Sequence, residues 1–103
     1  MTTETVYTEN IASLVSSTAG NLRDLFIDAA GEYEDDYDID AAVREYADSL
    51  TSQLAPLGIT QVLVSGETRC PVNAKIDHDM VAEIVRSTST DITDILINNS
   101  LKH

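Results

Sequence analysis

Three stretches of this chain hold side chains whose types and spacing could do chemistry. Asp36, Asp38 and Asp40 stand at alternate positions, as the oxygen ligands of a calcium loop do. Such a loop also needs Gly at its sixth place and Glu at its twelfth. Counted from Asp36, those places hold Ala41 and Ala47; counted from Glu34, the twelfth is Glu45 but the sixth is Ile39. Neither register makes a calcium loop. Asp77, His78, Asp79 and Glu83 offer nitrogen and oxygen ligands, yet only Asp79 and Glu83 share a helical face at i, i+4, so a helix start with a surface His is the better reading. Cys70, His78 and an acid are the ingredients of a nucleophilic set, but one Cys and one interior His without a surrounding motif define no catalytic arrangement. A Gly-rich phosphate loop, a Cys-x-x-Cys pair and a basic patch are all lacking. The sequence therefore reads as a non-enzymatic protein that calls for no cofactor and no metal.

The strongest signal is charge. From Asp24 to Asp48 there are ten acids and only one base, Arg44, so this quarter of the chain carries −9 of the net −12. The 78 residues outside it hold eight acids and five bases, an ordinary ratio. Adaptation to high salt would spread the acids rather than gather them. Asp24, Asp28 and Glu32 form a ladder at i, i+4, i+8, roughly 6 Å apart by helix rise, where like charges destabilise a helix by a few tenths of a kcal/mol per pair. Glu34, Asp35, Asp36, Asp38 and Asp40 continue the run, with Tyr33, Tyr37 and Tyr46 within or beside it. Tyr is enriched where proteins meet, because it supplies area and a hydrogen bond at low entropic cost. Asp24, Asp28, Glu32, Tyr33, Glu34, Asp35, Asp36, Tyr37, Asp38 and Asp40 are the candidate partner-binding residues. The partner they suit is a basic surface of a nucleic-acid-binding protein. So acidic a surface is repelled by nucleic acid and by anionic lipid, and no apolar run approaches the ~20 residues that span a bilayer. The competing reading is a homo-oligomer in which the charge only confers solubility.

These residues need elements to position them. Apolar residues recur at helical spacing from Ile11 to Tyr33, which predicts one long helix capped by Thr8, or two collinear ones kinked at Gly20, after a frayed tail over residues 1–7. Ile39, Val43, Tyr46, Leu50, Leu54 and Leu57 form the clearest stripe, on a helix capped by Asp38 or Asp40 and ended by Pro56 and Gly58, with Arg44 placed to pair with Asp40 and Asp48. Packed on the Leu22–Tyr33 face, it makes a helical hairpin with the acidic loop at its tip. Ile59–Val64 and Thr68–Val72 predict a β-hairpin, in which Pro71 makes the second strand short or places it at an edge. Two short helices follow, the first begun by Asp77 with Ile76 stapling onto Val81, before a polar end. The fold class is α+β, mainly helical, in a single domain of 103 residues.

With one Phe and no Trp the core is modest, and a second copy could bury a further apolar face. Lone Cys70 excludes an intramolecular disulfide and, with no signal-like N-terminus, points to the cytoplasm. The segment Tyr37-Asp38-Ile39-Asp40-Ala41-Ala42-Val43-Arg44, followed by Leu57-Gly58-Ile59-Thr60, resembles a helix-then-strand pattern of small, largely uncharacterised proteins of actinobacteria and their phages. In size and acidity the chain also resembles phage proteins that imitate DNA and occupy the nucleic-acid channels of defence nucleases. That second resemblance implies an anti-defence inhibitor.

Overall fold

Two asparagines begin the first two helices. In the computed structural model, which describes residues 4–7 and 9–101, the Asn10 side chain accepts the Ala12 N–H at 2.9 Å and starts α1 (Ile11–Val15). Asn21 accepts the Asp24 N–H at 2.9 Å and starts α2 (Leu22–Ala30). Asp24 Oδ2 in turn accepts the Gly20 N–H at 3.2 Å, so acid and cap satisfy each other's neighbours much as in a capping box. Of the two expectations, one long helix or two interrupted at Gly20, the second is the nearer: there are two helices here, and the backbone between them is extended at Ser16 and again at Asn21. Side-chain caps offer the chain an alternative to helical bonding, and Gly20 adds its own helix cost of about 1 kcal/mol. The two halves keep the phase but use it differently, α1 packing on α4 and α2 on α3 and α5. Thr8 lies outside the described residues.

The next helix, α3 (Ile39–Leu54), follows its predicted stripe closely. Asp38 caps it, accepting the Ala41 N–H at 3.1 Å. Ile39, Val43, Tyr46, Leu50 and Leu54 are buried together with Ala42 and Ala47. Against α2 the Phe26 and Tyr46 rings meet edge to face, centroids 5.4 Å apart at 73°, a geometry that adds about 1 kcal/mol to the area they bury. Leu57 lies beyond the helix, in the 3-10 turn Ala55–Leu57, and is half-buried.

Among the described residues three short strands make one antiparallel sheet in the order β1-β3-β2: β1 (Glu4–Val6), β2 (Gln61–Val62) and β3 (Thr68–Pro71). One expectation is corrected here and another narrowed. Of the tail expected to fray over residues 1–7, Glu4–Val6 pairs with β3 in the register Thr5↔Cys70, and residues 1–3 lie outside the described residues. That pairing makes β3 the central strand, so of the two alternatives the Pro71 signal left, short or at an edge, the first holds: β3 has 4 residues, and Pro71 is tolerated as the last of them, opposite Glu4. The sheet is tied to α3 through Thr51, whose hydroxyl donates to the Ala47 carbonyl at 2.8 Å and accepts the Val62 N–H at 3.0 Å.

Asp77 caps α4 (His78–Ser89) by accepting the Asp79 and Met80 N–H groups, and α5 (Ile92–Asn98) follows. At twelve residues α4 is longer than the short helix the sequence suggests. Val81, Val85, Ile92, Ile95 and Leu96 complete the buried cluster built on α2 and α3. The fold is α+β and mainly helical. Among the described residues no helix is long and apolar enough to cross a membrane.

Candidate partner-binding face

The acidic run starts where α2 ends, at Gly31. Its backbone has φ +59 and ψ −130, a region that favours glycine, although open space surrounds the position a Cβ would take. From there Gly31–Asp36 forms a 3-10 turn with Tyr33 off helical geometry, and none of its residues is buried.

Backbone pairing holds the run in place from an unexpected direction. Asp38 N–H donates to the Asn99 carbonyl at 2.8 Å, Leu101 N–H donates to the Asp36 carbonyl at 2.8 Å, and Tyr37 and Ser100 form an antiparallel bridge between them. While the polar end expected at Lys102-His103 lies outside the described residues, residues 99–101 are the frame of the acidic face. They bring two exposed apolar side chains with them, Leu101 at 60% and Ile97 at 59%. A groove of about 380 Å³ opens there, with Glu34, Asp35, Asp38 and Asp40 on its walls beside Arg23, Tyr37 and Leu101.

The ten candidate residues fall into two groups. Some have structural work: Asp24 bonds the Gly20 amide, Asp38 caps α3, Asp36 and Tyr37 pair with the C-terminal segment, and Asp40 meets Arg23 at 3.4 Å. The last pair corrects the expected bond to Arg44, since α2 lies against α3 and delivers Arg23 there first. Both partners are well exposed, so the pair is worth little to stability. The other group is Asp28, Glu32, Glu34 and Asp35, which are exposed and have no side-chain hydrogen bond or ion pair among the described residues. Tyr33 stands among them at 59% exposure.

The three tyrosines separate likewise. Tyr37 is half-buried against the core, and Tyr46 is fully buried in it, so only Tyr33 is an open anchor. Burial, with a smaller contribution from Asp91, pushes the Tyr46 phenol up to about 12. Its hydroxyl finds no hydrogen-bond partner among the described residues.

The other chemical candidates lie elsewhere. His78 Nδ1 is 2.7 Å from the Tyr7 hydroxyl, and the two rings stack with centroids 6.2 Å apart, which fastens the end of β1 to the start of α4. Burial foremost, then the negative field of Glu9, raises the Tyr7 phenol. Cys70 is buried on β3, and its thiol makes no hydrogen bond to His78 among the described residues. Among those residues no three His, Cys, Asp or Glu side chains gather as metal ligands would. Compared with known proteins, the chain matches no family model, no curated protein and no solved structure.

Ile97, Leu101 and the two asparagine caps are the site and framework residues that periodicity misses. Asn21-x-x-Asp24 is a visible capping signal. Nothing local in Asn99-Ser100-Leu101 announces a pairing with residues more than sixty positions away.

Proposed function

We propose that this chain is a non-enzymatic binding module of the cytoplasm whose acidic face occupies the basic, nucleic-acid-binding surface of another protein, in the manner of an inhibitor that imitates DNA. The observation that carries this is the set Asp28, Glu32, Glu34 and Asp35: four exposed carboxylates that no cation pairs among the described residues, next to Tyr33 and on a backbone fastened at both Asp36 and Asp38. A charge run that only solubilises has no use for such a fastening. Preorganised charges lower the ordering cost of association, and complementary potentials raise the encounter rate.

The test is a pull-down from lysate of the source cells with the wild type and with Asp28→Asn, Glu32→Gln, Glu34→Gln, Asp35→Asn combined. A partner held by the wild type at low salt, released at high salt, competed by duplex DNA and lost with the quadruple variant supports the proposal. Equal recovery by both proteins contradicts it. It would favour the alternative, a homo-oligomer of a mobile element, which sedimentation would then reveal.

A further inference from the structure

The apolar residues at the edge of the acidic groove say more about the partner than charge alone does. Exposed apolar side chains occur singly on every protein surface. Here Leu101 is a wall of the groove that also holds Glu34, Asp35, Asp38 and Asp40 with one cation, Arg23, and Ile97 is one turn back along the chain, its carbonyl accepting the Ser100 N–H at 3.2 Å. Each is about three-fifths exposed, and the groove that Leu101 lines carries four carboxylates against one cation. A purely basic groove, shaped for phosphates, would leave these two side chains in water or cover them with cations, and either wastes their burial.

We infer that the acidic groove and the Ile97–Leu101 ridge together dock an amphipathic basic helix of the partner, its cations on the carboxylates and its apolar stripe on Leu101 and Ile97. Charge complementarity selects a basic occupant, and the ridge selects one with an apolar face. A helix is preferred to an added strand because the amides of Asp38 and Leu101 are already spent on the clamp between the acidic run and the C-terminal segment. An occupant must then engage side chains, as a helix laid in a groove does. The inference rests on the acidic-face reading and adds to it the chemistry of the partner.

Two synthetic peptides test it, each about five helical turns long. One carries Lys on one face and Leu on the other; the second keeps the same Lys residues and replaces every Leu with Ser. Binding of each to the full chain is measured by fluorescence anisotropy near physiological ionic strength, with thermal melts as the folding control. The wild type should prefer the Lys/Leu peptide by about tenfold, the scale set by covering two large apolar side chains. Ile97→Ser with Leu101→Ser should bring the two affinities within about twofold of each other by weakening the Lys/Leu peptide. If the double variant keeps the tenfold preference, the ridge is not the docking site and the inference falls while the acidic-face reading stands. If the wild type binds neither peptide, or the quadruple charge variant binds both as well as the wild type does, the acidic-face reading itself falls.

Discussion

The Leu101 N–H donates to the Asp36 carbonyl oxygen at 2.8 Å, joining the last described residue of the chain to the middle of its acidic run. With the matching bond from Asp38 to Asn99, it turns what would be a loop of like charges into a fixed strip. Repulsion among the carboxylates works against that order, so the clamp must hold it.

Ending the chain after Asn98 should therefore release the strip. By hydrogen exchange the Asp38 amide should lose its protection, while amides in the middle of α3 keep theirs. The loss of two backbone bonds should lower stability by about 1–3 kcal/mol in denaturant melts. Unchanged protection at Asp38 would mean that the acidic run is ordered without its C-terminal frame.

Two glycines give contrasting expectations. At Gly66, φ is +90 and a Cβ would overlap Asn10 Oδ1, the atom that caps α1. At Gly31, φ is +59 but nothing lies within 4 Å. Gly31→Ala carries only the backbone strain, about 1–3 kcal/mol, whereas Gly66→Ala adds a clash and the loss of a helix cap. Thermal melts should rank Gly66→Ala as clearly the less stable. The reverse order would contradict the contact between the Ser65–Gly66 turn and α1.

Tyr46 ties stability to alkaline pH. Its pKa is about 12 in the folded chain against the ordinary 10.0 of a solvated tyrosine, so between those values the unfolded chain gives up a proton that the folded chain keeps. Stability is unaffected by this group below pH 10 and falls as pH rises toward 12, by about 3 kcal/mol at most. The raised Tyr7 phenol acts in the same direction. Tyr46→Phe should lose part of the alkaline fall and, by removing a buried hydroxyl without a partner among the described residues, should melt no lower than the wild type at pH 7. Urea melts at pH 7 and near pH 11 check both points. A markedly lower midpoint for Tyr46→Phe at pH 7 would show that the hydroxyl is satisfied after all.

Fold class and α3 can be read from the chain because both depend on local patterning: the stripe from Ile39 to Leu54 needs only helical periodicity, and Asp38 only a cap position. The break between α1 and α2 is only half legible: Gly20 marks it, but apolar phase persists through it from Ile11 to Leu22, and its extent is set by the caps at Asn10 and Asn21. β1 and the C-terminal clamp cannot be read, since each is a few residues made ordered by a distant partner, Cys70 for Thr5 and Asp36 for Leu101. In the candidate site the ladder of acids is visible. Which of them are occupied depends on where α2 brings Arg23 and on which residue caps α3.

Arg23 offers a test of opposite sign. It masks Asp40 at the rim of the groove, and both side chains are more than half exposed, so Arg23→Ala should change stability by no more than about 1 kcal/mol. The face becomes more negative by one charge, and association with a basic partner should quicken at low salt. An association rate that falls in stopped-flow mixing would show that Arg23 itself contacts the partner.

The central claim is tested most directly by the association rate with the partner recovered from lysate, measured by surface plasmon resonance from about 50 mM to about 500 mM salt. The wild type and the variant combining Asp28→Asn, Glu32→Gln, Glu34→Gln and Asp35→Asn are compared, with thermal melts confirming that both are folded. The wild-type rate should fall steeply with salt, and the variant's should be several-fold lower at low salt and nearly flat across the series, because the four carboxylates act on the encounter. Identical rates for the two proteins at every salt concentration would contradict the claim and leave the acidic run as a solubilising surface alone.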